Sequence, residues 1–209
     1  SYLLSDLKLL EDVVSKIRKI FNRCFTVKIR AGYKDDQLFD DIIKTLTNCG
    51  VDAITIHGRT KVEMYKGFAQ WKYFSRAAEL TDVPIIANGD IWTPEDIKTI
   101  FDETNCYGVM CARSAMKTPW LAYLYQEFLK GNYQSPKERL DLRSIKHQDY
   151  FNSLEKSYYQ RNFTTQNTLK KFKALIRYSF DDYQGGEEFK RGLLRTPDLP
   201  TFKDNLLSL

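Results

Sequence analysis

Four short runs of apolar and β-branched residues recur along this 209-residue chain: FTVKIR at 25–30, DAITIH at 52–57, VPIIAN at 83–88 and YGVMCA at 107–112. Each has the length of a buried strand and is too short for a helix. Helical signals fill the intervals. Residues 35–48 start acidic and place Leu38, Ile42, Ile43 and Leu46 at helical spacing, with Gly50 just beyond the end. At 93–103, Thr93 is a natural N-cap, Pro94 suits the first helical position, and Glu95 and Asp96 meet the positive end of the dipole. Residues 6–21 put Leu10, Val13, Val14, Ile17 and Phe21 on one stripe, and Pro119 opens a helix through about Lys130. Strands alternating with helices in this way imply parallel pairing through right-handed crossovers. The expected fold is α/β, with four adjacent parallel strands in sequence order. Helices should cover one face, and the other should be open or covered by another chain.

The pattern changes after Gly131, where no further strand stands out. Ser135-Pro136 begins a long polar helix to about Gln160, a second helix runs from about Thr165 to Tyr178, and shorter pieces follow. A boundary near 131–135 therefore separates an α/β part, 1–131, from an all-α helical bundle, 132–209. Charge separates them too. The first part holds 18 basic against 17 acidic residues, the second 14 against 10, and residues 161–178 carry five basic side chains and no acid. That run is either a solvated helix face or a surface for a phosphate backbone, with Lys170, Lys171, Lys173 and Arg177 as its cations.

With 43% hydrophobic and 28% charged residues, the composition is that of an ordinary soluble domain. No window approaches a membrane-spanning helix, and SYLLSDLKLL lacks the basic and apolar regions of a signal peptide, so a cytoplasmic protein is expected. Cys24, Cys49, Cys106 and Cys111 show no CxxC spacing, and His57 and His147 are the two histidines. No metal site is expected, and the cysteines should be reduced and buried.

The strand ends carry the chemistry. Alternation puts Phe25, Val27 and Ile29 on one face of the first strand and Thr26, Lys28 and Arg30 on the other. In the second strand, Ala53, Thr55 and His57 oppose Ile54 and Ile56. Lys28 and His57 thus point away from the helices near the carboxyl ends. Lys28 there is either met by an anion or paired with a strand neighbour. The third strand ends in Asn88-Gly89-Asp90 and the fourth in Cys111-Ala112-Arg113, each ahead of a helix start. Two such adjacent loops suit a phosphate, and in (β/α)8 barrels that site follows strands seven and eight. FTVKIR would then be strand five.

VKIRAG, ITIHGRTKVEMYKGFAQW, PIIANGDI and GVMCARSAMKTPW, in this order and at these intervals, resemble the second half of the flavin-dependent tRNA-dihydrouridine synthases. The HGRT…MYKG segment is the most specific. LKKFKALIRYSFDDYQGGEEFKRGLL resembles that family's C-terminal helical domain more loosely. The resemblance implies strands five to eight of a TIM (β/α)8 barrel followed by a tRNA-binding bundle. It also implies reduction of uridine to 5,6-dihydrouridine in tRNA, using FMN recharged by NADPH. On it, Lys28 and His57 contact the flavin, while Asn88, Gly89, Asp90, Ala112 and Arg113 hold its phosphate. Arg59 lies in the loop where a flipped uridine enters. Two departures stand out. The family has Gly-Arg-Gly where this chain has Ala112-Arg113-Ser114, and its Asn-x-Gly-Cys-Pro stretch with the general-acid cysteine does not occur here.

No catalytic residue is therefore assigned, and the chain is expected to be a fragment that is inactive alone. It should associate with the missing half of its barrel, or with itself through strand edges. Two other functions stay open. One is a non-catalytic RNA-binding protein on a remnant barrel; the other is a different FMN barrel acting on a small molecule, against which the basic tail argues.

Overall fold

The computed structural model describes residues 2–133, 140–180 and 185–207. They fall into two compact units, Ser1–Ala112 and Arg113–Leu209.

The first unit opens with a 3₁₀ turn and α1 (Leu7–Ile20), then alternates β1 (Thr26–Arg30), α2 (Phe39–Asn48), β2 (Ala53–His57), α3 (Lys72–Leu80), β3 (Ile85–Asn88), α4 (Pro94–Thr104) and β4 (Gly108–Met110). The four strands form one sheet in the order β1-β2-β3-β4, and every pairing is parallel, in agreement with the strand–helix alternation. Local chemistry sets the helix ends. Asp6 caps α1 by accepting from the Leu9 amide. Thr93 and Asp96 form a reciprocal capping box on α4 with Pro94 in its first turn, and Asn105 ends that helix in the left-handed region.

Helix α2 starts at Phe39, four residues later than its acidic lead suggests. Asp35 instead accepts from the Gln37 amide, and Asp36 accepts from the Tyr73 hydroxyl at 3.1 Å. The carboxylates build the turn before the helix. Helix α3 carries no capping side chain at its start, so nothing in its local sequence marks where it begins. On α1, Leu10 and Val14 are buried, whereas Ile17 and Phe21 at the end of the stripe are exposed.

Helices α1 to α4 pack side by side in chain order. Beneath them, Ile54, Ile56, Ile85 and Ala87 are buried, as are Phe39, Ile42, Ile43, Leu46, Phe74 and Ile100 from the helices. Full burial of each large side chain contributes about 1.5–3 kcal/mol. The other sheet face is mainly polar, with Ala53, Ile86 and Met110 also on it: Thr55, His57 and Asn88 are buried there, while Lys28 on the edge strand is exposed. Cys49 and Cys106 are buried, but Cys24 is exposed, contrary to expectation.

In the second unit the described residues form α5 (Arg113–Lys117), α6 (Leu121–Leu129), α7 (Leu140–Gln160), α8 (Thr165–Ile176), α9 (Gly186–Arg195) and α10 (Leu199–Leu207). The Ser135-Pro136 helix start lies outside the described residues. Phe151, Phe172 and Phe202 meet at the centre, with ring centroids 4.6 to 5.8 Å apart, among Leu169, Ile176, Phe180 and Leu193. The first unit ends at Ala112, after β4, and α5 and α6 cluster with the later helices.

Candidate active site

Parallel register aligns the carboxyl ends of the strands. Arg30 stands opposite His57, His57 opposite Asn88, and Asn88 opposite Met110, with Lys28 opposite Thr55 one step below. Side chains paired in this way share a face. The polar face thus gathers Lys28, Arg30, Thr55, His57 and Asn88 within three strands.

Charge and burial set the state of His57. Burial, then the cations Arg30, Lys28 and Arg59, hold its pKa at about 4, with Asp90 opposing them. The imidazole is neutral at physiological pH, able to donate from one nitrogen and accept at the other. Burial and the neighbouring Arg30 also lower Lys28 from the ordinary lysine value. The Asn88 side chain donates to the Met110 carbonyl at 2.7 Å and so ties β3 to β4.

The turn after β2 is braced from several directions. The Gly58 amide donates to Asn88 O at 3.0 Å, and Gly58 O accepts from the Gln70 amide at 2.6 Å. A Cβ on Gly58 would sit 2.9 Å from Gln70 O, so glycine permits this close approach. Thr60 and Glu63 exchange bonds: the Thr60 amide donates to Glu63 Oε2 at 2.5 Å, and the Glu63 amide to Thr60 Oγ1 at 3.3 Å. Arg30 donates to the carbonyls of Thr60 and Met64 at 2.8 and 3.2 Å. The Trp71 indole donates to Gly89 O at 3.1 Å. Arg30 and Trp71 thus shape the site, although sequence reasoning assigns neither a role in it. Their signals are present, Arg30 in its alternation with Lys28 and Trp71 at the end of the HGRT…QW segment.

Arg59 is only 2% exposed; it donates to both Asp90 carboxylate oxygens and to Gly67 O at 2.5 Å. The family resemblance puts it in an entrance loop, but its guanidinium is directed inward, where it holds the loop's far end. Asp90 also accepts from the Ala69 amide at 2.8 Å. Its carboxylate is turned toward the 59–69 loop. Gly89 has φ +120°, and a Cβ there would lie 2.8 Å from Ala69 Cβ and 3.0 Å from His57 Cδ2. Ala112 is exposed at the end of the first unit, and Arg113 is the first residue of α5 in the second.

Lys170 and Lys171 on α8 and Arg177 at its C-cap are exposed. Lys173 is not: half-buried, it donates to Thr196 O at 2.6 Å. Its position follows the apolar stripe of Leu169, Phe172 and Ile176, so its ammonium bridges to the α9 end.

A neutral imidazole beside two cations on one sheet face can hydrogen-bond a planar polar ring and stabilise negative charge on it. Among the described residues, no group of three or more His, Cys, Asp or Glu is arranged to hold a metal ion, and no helix is long and apolar enough to cross a membrane.

Several known proteins resemble this chain in sequence. tRNA-dihydrouridine synthase B of Pasteurella multocida is 35% identical over 123 residues, 58% of this chain and 37% of that protein. The tRNA-dihydrouridine(16) synthase of Shewanella oneidensis is 39% identical over 97 residues, 46% of this chain and 31% of its own. The Pectobacterium carotovorum tRNA-dihydrouridine synthase B is 33% identical over 139 residues, 66% of this chain and 43% of its own. The chain therefore spans less than half the length of these curated relatives. Among solved structures, dihydrodipicolinate synthase from Aquifex aeolicus aligns over 97% of this chain and 79% of its own at a TM-score of 0.36 and 11% identity, too distant to carry an argument. The family described as dihydrouridine synthase matches residues 1–206, and the chain belongs to that family.

Proposed function

We propose that this chain is part of a tRNA-dihydrouridine synthase, an FMN- and NADPH-dependent cytoplasmic oxidoreductase that reduces uridine to 5,6-dihydrouridine in tRNA. In this reading, residues 1–131 are the second half of an FMN-binding (β/α)8 barrel, strands five to eight, and 132–209 are the helical tRNA-binding domain. The observation that carries the reading is the alignment of Lys28, Arg30, His57 and Asn88 across one sheet face.

The residues fit a flavin. Its ring would supply hydride to uracil C6 when reduced. Lys28 and Arg30 bring positive charge to the face where that ring would lie, and His57 stays uncharged and available to hydrogen-bond. Gly89 carries no side chain where the strand meets the phosphate-type turn, and the Asp90 carboxylate is neutralised by Arg59 rather than facing an anion. Asn88, Gly89, Asp90 and Ala112 would hold the phosphate, Gly89 and Asp90 through their backbone. Arg59 acts by holding the 59–67 loop. Exposed Lys170, Lys171 and Arg177 would meet tRNA phosphates.

The chain of 209 residues contains no Asn-x-Gly-Cys-Pro stretch, and a general acid typically contributes about 10²–10⁴-fold. By itself it should form no dihydrouridine, and its β1 and β4 edges should associate with the other barrel half or with a second copy. The test joins the N-terminal half of the Pasteurella relative to residues 1–209. The expected product is a flavin-coloured protein that forms dihydrouridine in unmodified tRNA, and loses flavin when Lys28 or His57 becomes Ala. A folded, colourless chimera that binds tRNA would assign the chain to non-catalytic RNA binding instead.

A further inference from the structure

A cleft of about 460 Å³ lies between α6 and α7 in the second unit, lined by Pro119, Trp120, Tyr123, Lys146, Asp149 and Tyr150. Nothing in the flavin or phosphate reading uses it. Aromatic faces and charges share its lining. The Lys146 ammonium stands 4.9 Å from the Tyr123 ring centroid and 5.8 Å from that of Trp120.

The two aromatic groups differ in what else they do. Trp120 meets the buried His147 edge-on at 4.9 Å, so it also belongs to the packing. Tyr123 is 52% exposed and is not needed to close the core. Lys146 is half-buried, and its cation–π contacts at an accessible site are weak enough for a phosphate to replace them.

We propose that this cleft is a stacking subsite for one unpaired nucleotide of an RNA strand. The base lies against Tyr123 and Trp120, and Lys146 meets the adjoining phosphate. Every base has a π-face, so such a platform takes a nucleotide with little sequence preference. Charge complementarity selects this occupant. A bare phosphate would leave the Tyr123 and Trp120 faces unused, and a purely apolar segment would bury the Lys146 charge unpaired; a nucleotide offers a ring to the aromatics and an anion to the lysine. The cleft volume lies within the range of small-ligand sites. The proposal rests on the tRNA reading, but does not depend on flavin.

The test uses the full 209-residue chain and a short uridine RNA carrying one 2-aminopurine, followed by anisotropy and 2-aminopurine quenching at several salt concentrations. Binding with quenching is expected. Tyr123→Ala should weaken binding about 5- to 100-fold and abolish quenching, whereas Tyr123→Phe should bind within about twofold of the parent because the ring is retained. Lys146→Ala should lower the slope of log affinity against log salt by about 0.7. Tyr123 is chosen over Trp120 because its removal leaves the His147 packing intact. RNA binding unchanged by Tyr123→Ala and Lys146→Ala overturns the subsite while leaving the tRNA reading in place. Tyr123-dependent self-association without response to RNA would assign the cleft to a protein partner and overturn it as well. The chimera's dihydrouridine assay reports on the enzyme reading separately.

Discussion

The Arg59 guanidinium grips the Asp90 carboxylate through two hydrogen bonds, Nη2 to Oδ2 at 2.6 Å and Nη1 to Oδ1 at 3.3 Å, with side chains only 3% and 14% exposed. The pair joins the loop after β2 to the turn after β3, and the same two residues hold Gly67 and Ala69. A buried pair of this kind is costly to break, because the remaining charge loses its partner without regaining water.

Asp90→Ala should therefore lower stability by about 3 kcal/mol, read from urea unfolding. Asp90→Asn should cost less, since an amide still accepts from Arg59 and asparagine tolerates the φ of 53° found there. Arg59→Lys should not restore the parent, because one ammonium cannot reproduce the two-pronged contact. Equal stability for Asp90→Ala and the parent would contradict this account.

His57 gives a signed pH dependence. Its pKa in the fold is about 4, against an ordinary value of 6.5. Between those values the unfolded chain takes up a proton that the folded chain refuses, so this contribution to stability falls as pH drops from about 6.5 to 4. It is fully present above that window. Urea midpoints measured from pH 7 to pH 4 should fall more steeply for the parent than for His57→Gln. The ring's NMR titration should centre near pH 4; a midpoint near 6.5 would refute the burial argument.

Gly89→Ala combines two penalties, a φ of +120° and a Cβ pressed against Ala69 Cβ and His57 Cδ2. We expect a loss of about 1–3 kcal/mol from the strained backbone, with more from overpacking. The His57 ring signals should shift. Adding Ala69→Gly should relieve the 2.8 Å approach but not the backbone strain, so rescue should be partial. Complete rescue would mean the φ carries no cost.

The lysines of α8 should separate by role. Lys173→Ala removes a bond to the Thr196 carbonyl and should cost about 1.5 kcal/mol of stability. Lys170→Ala together with Lys171→Ala should change stability by less than about 0.5 kcal/mol per site. That double variant should weaken tRNA binding and flatten its salt dependence by about 0.9 for each phosphate no longer neutralised, taking duplex DNA as guide. Unaltered binding across salt would make the exposed run a solvated face only.

What is legible in the linear chain is local. Thr93, Pro94 and Asp96 announce α4 because an N-cap bonds to an amide three residues on. Leu169, Phe172 and Ile176 announce α8 because their spacing matches its turn. Tyr73, Phe74 and Ala77 are buried in α3, yet no capping group marks its start, so the residues alone do not delimit it. Asp35 and Asp36 read as a helix start because their partners, in the turn and on α3, are invisible in the linear pattern.

The α/β alternation, the parallel order of four strands and the sharing of one face by Lys28 and His57 all follow from the residue pattern. So, through its motifs, does membership of the dihydrouridine synthase family. Periodicity of two along a strand and 3.6 along a helix is written residue by residue, so these features need no distant partner. Folding in three dimensions was required to turn Arg59 inward to Asp90, to bring Lys173 to Thr196 and to keep His57 neutral. Those outcomes depend on groups 31 and 23 residues away and on water excluded by packing. Charge, burial and hydrogen bonding act through space, and the fold alone sets which groups are near.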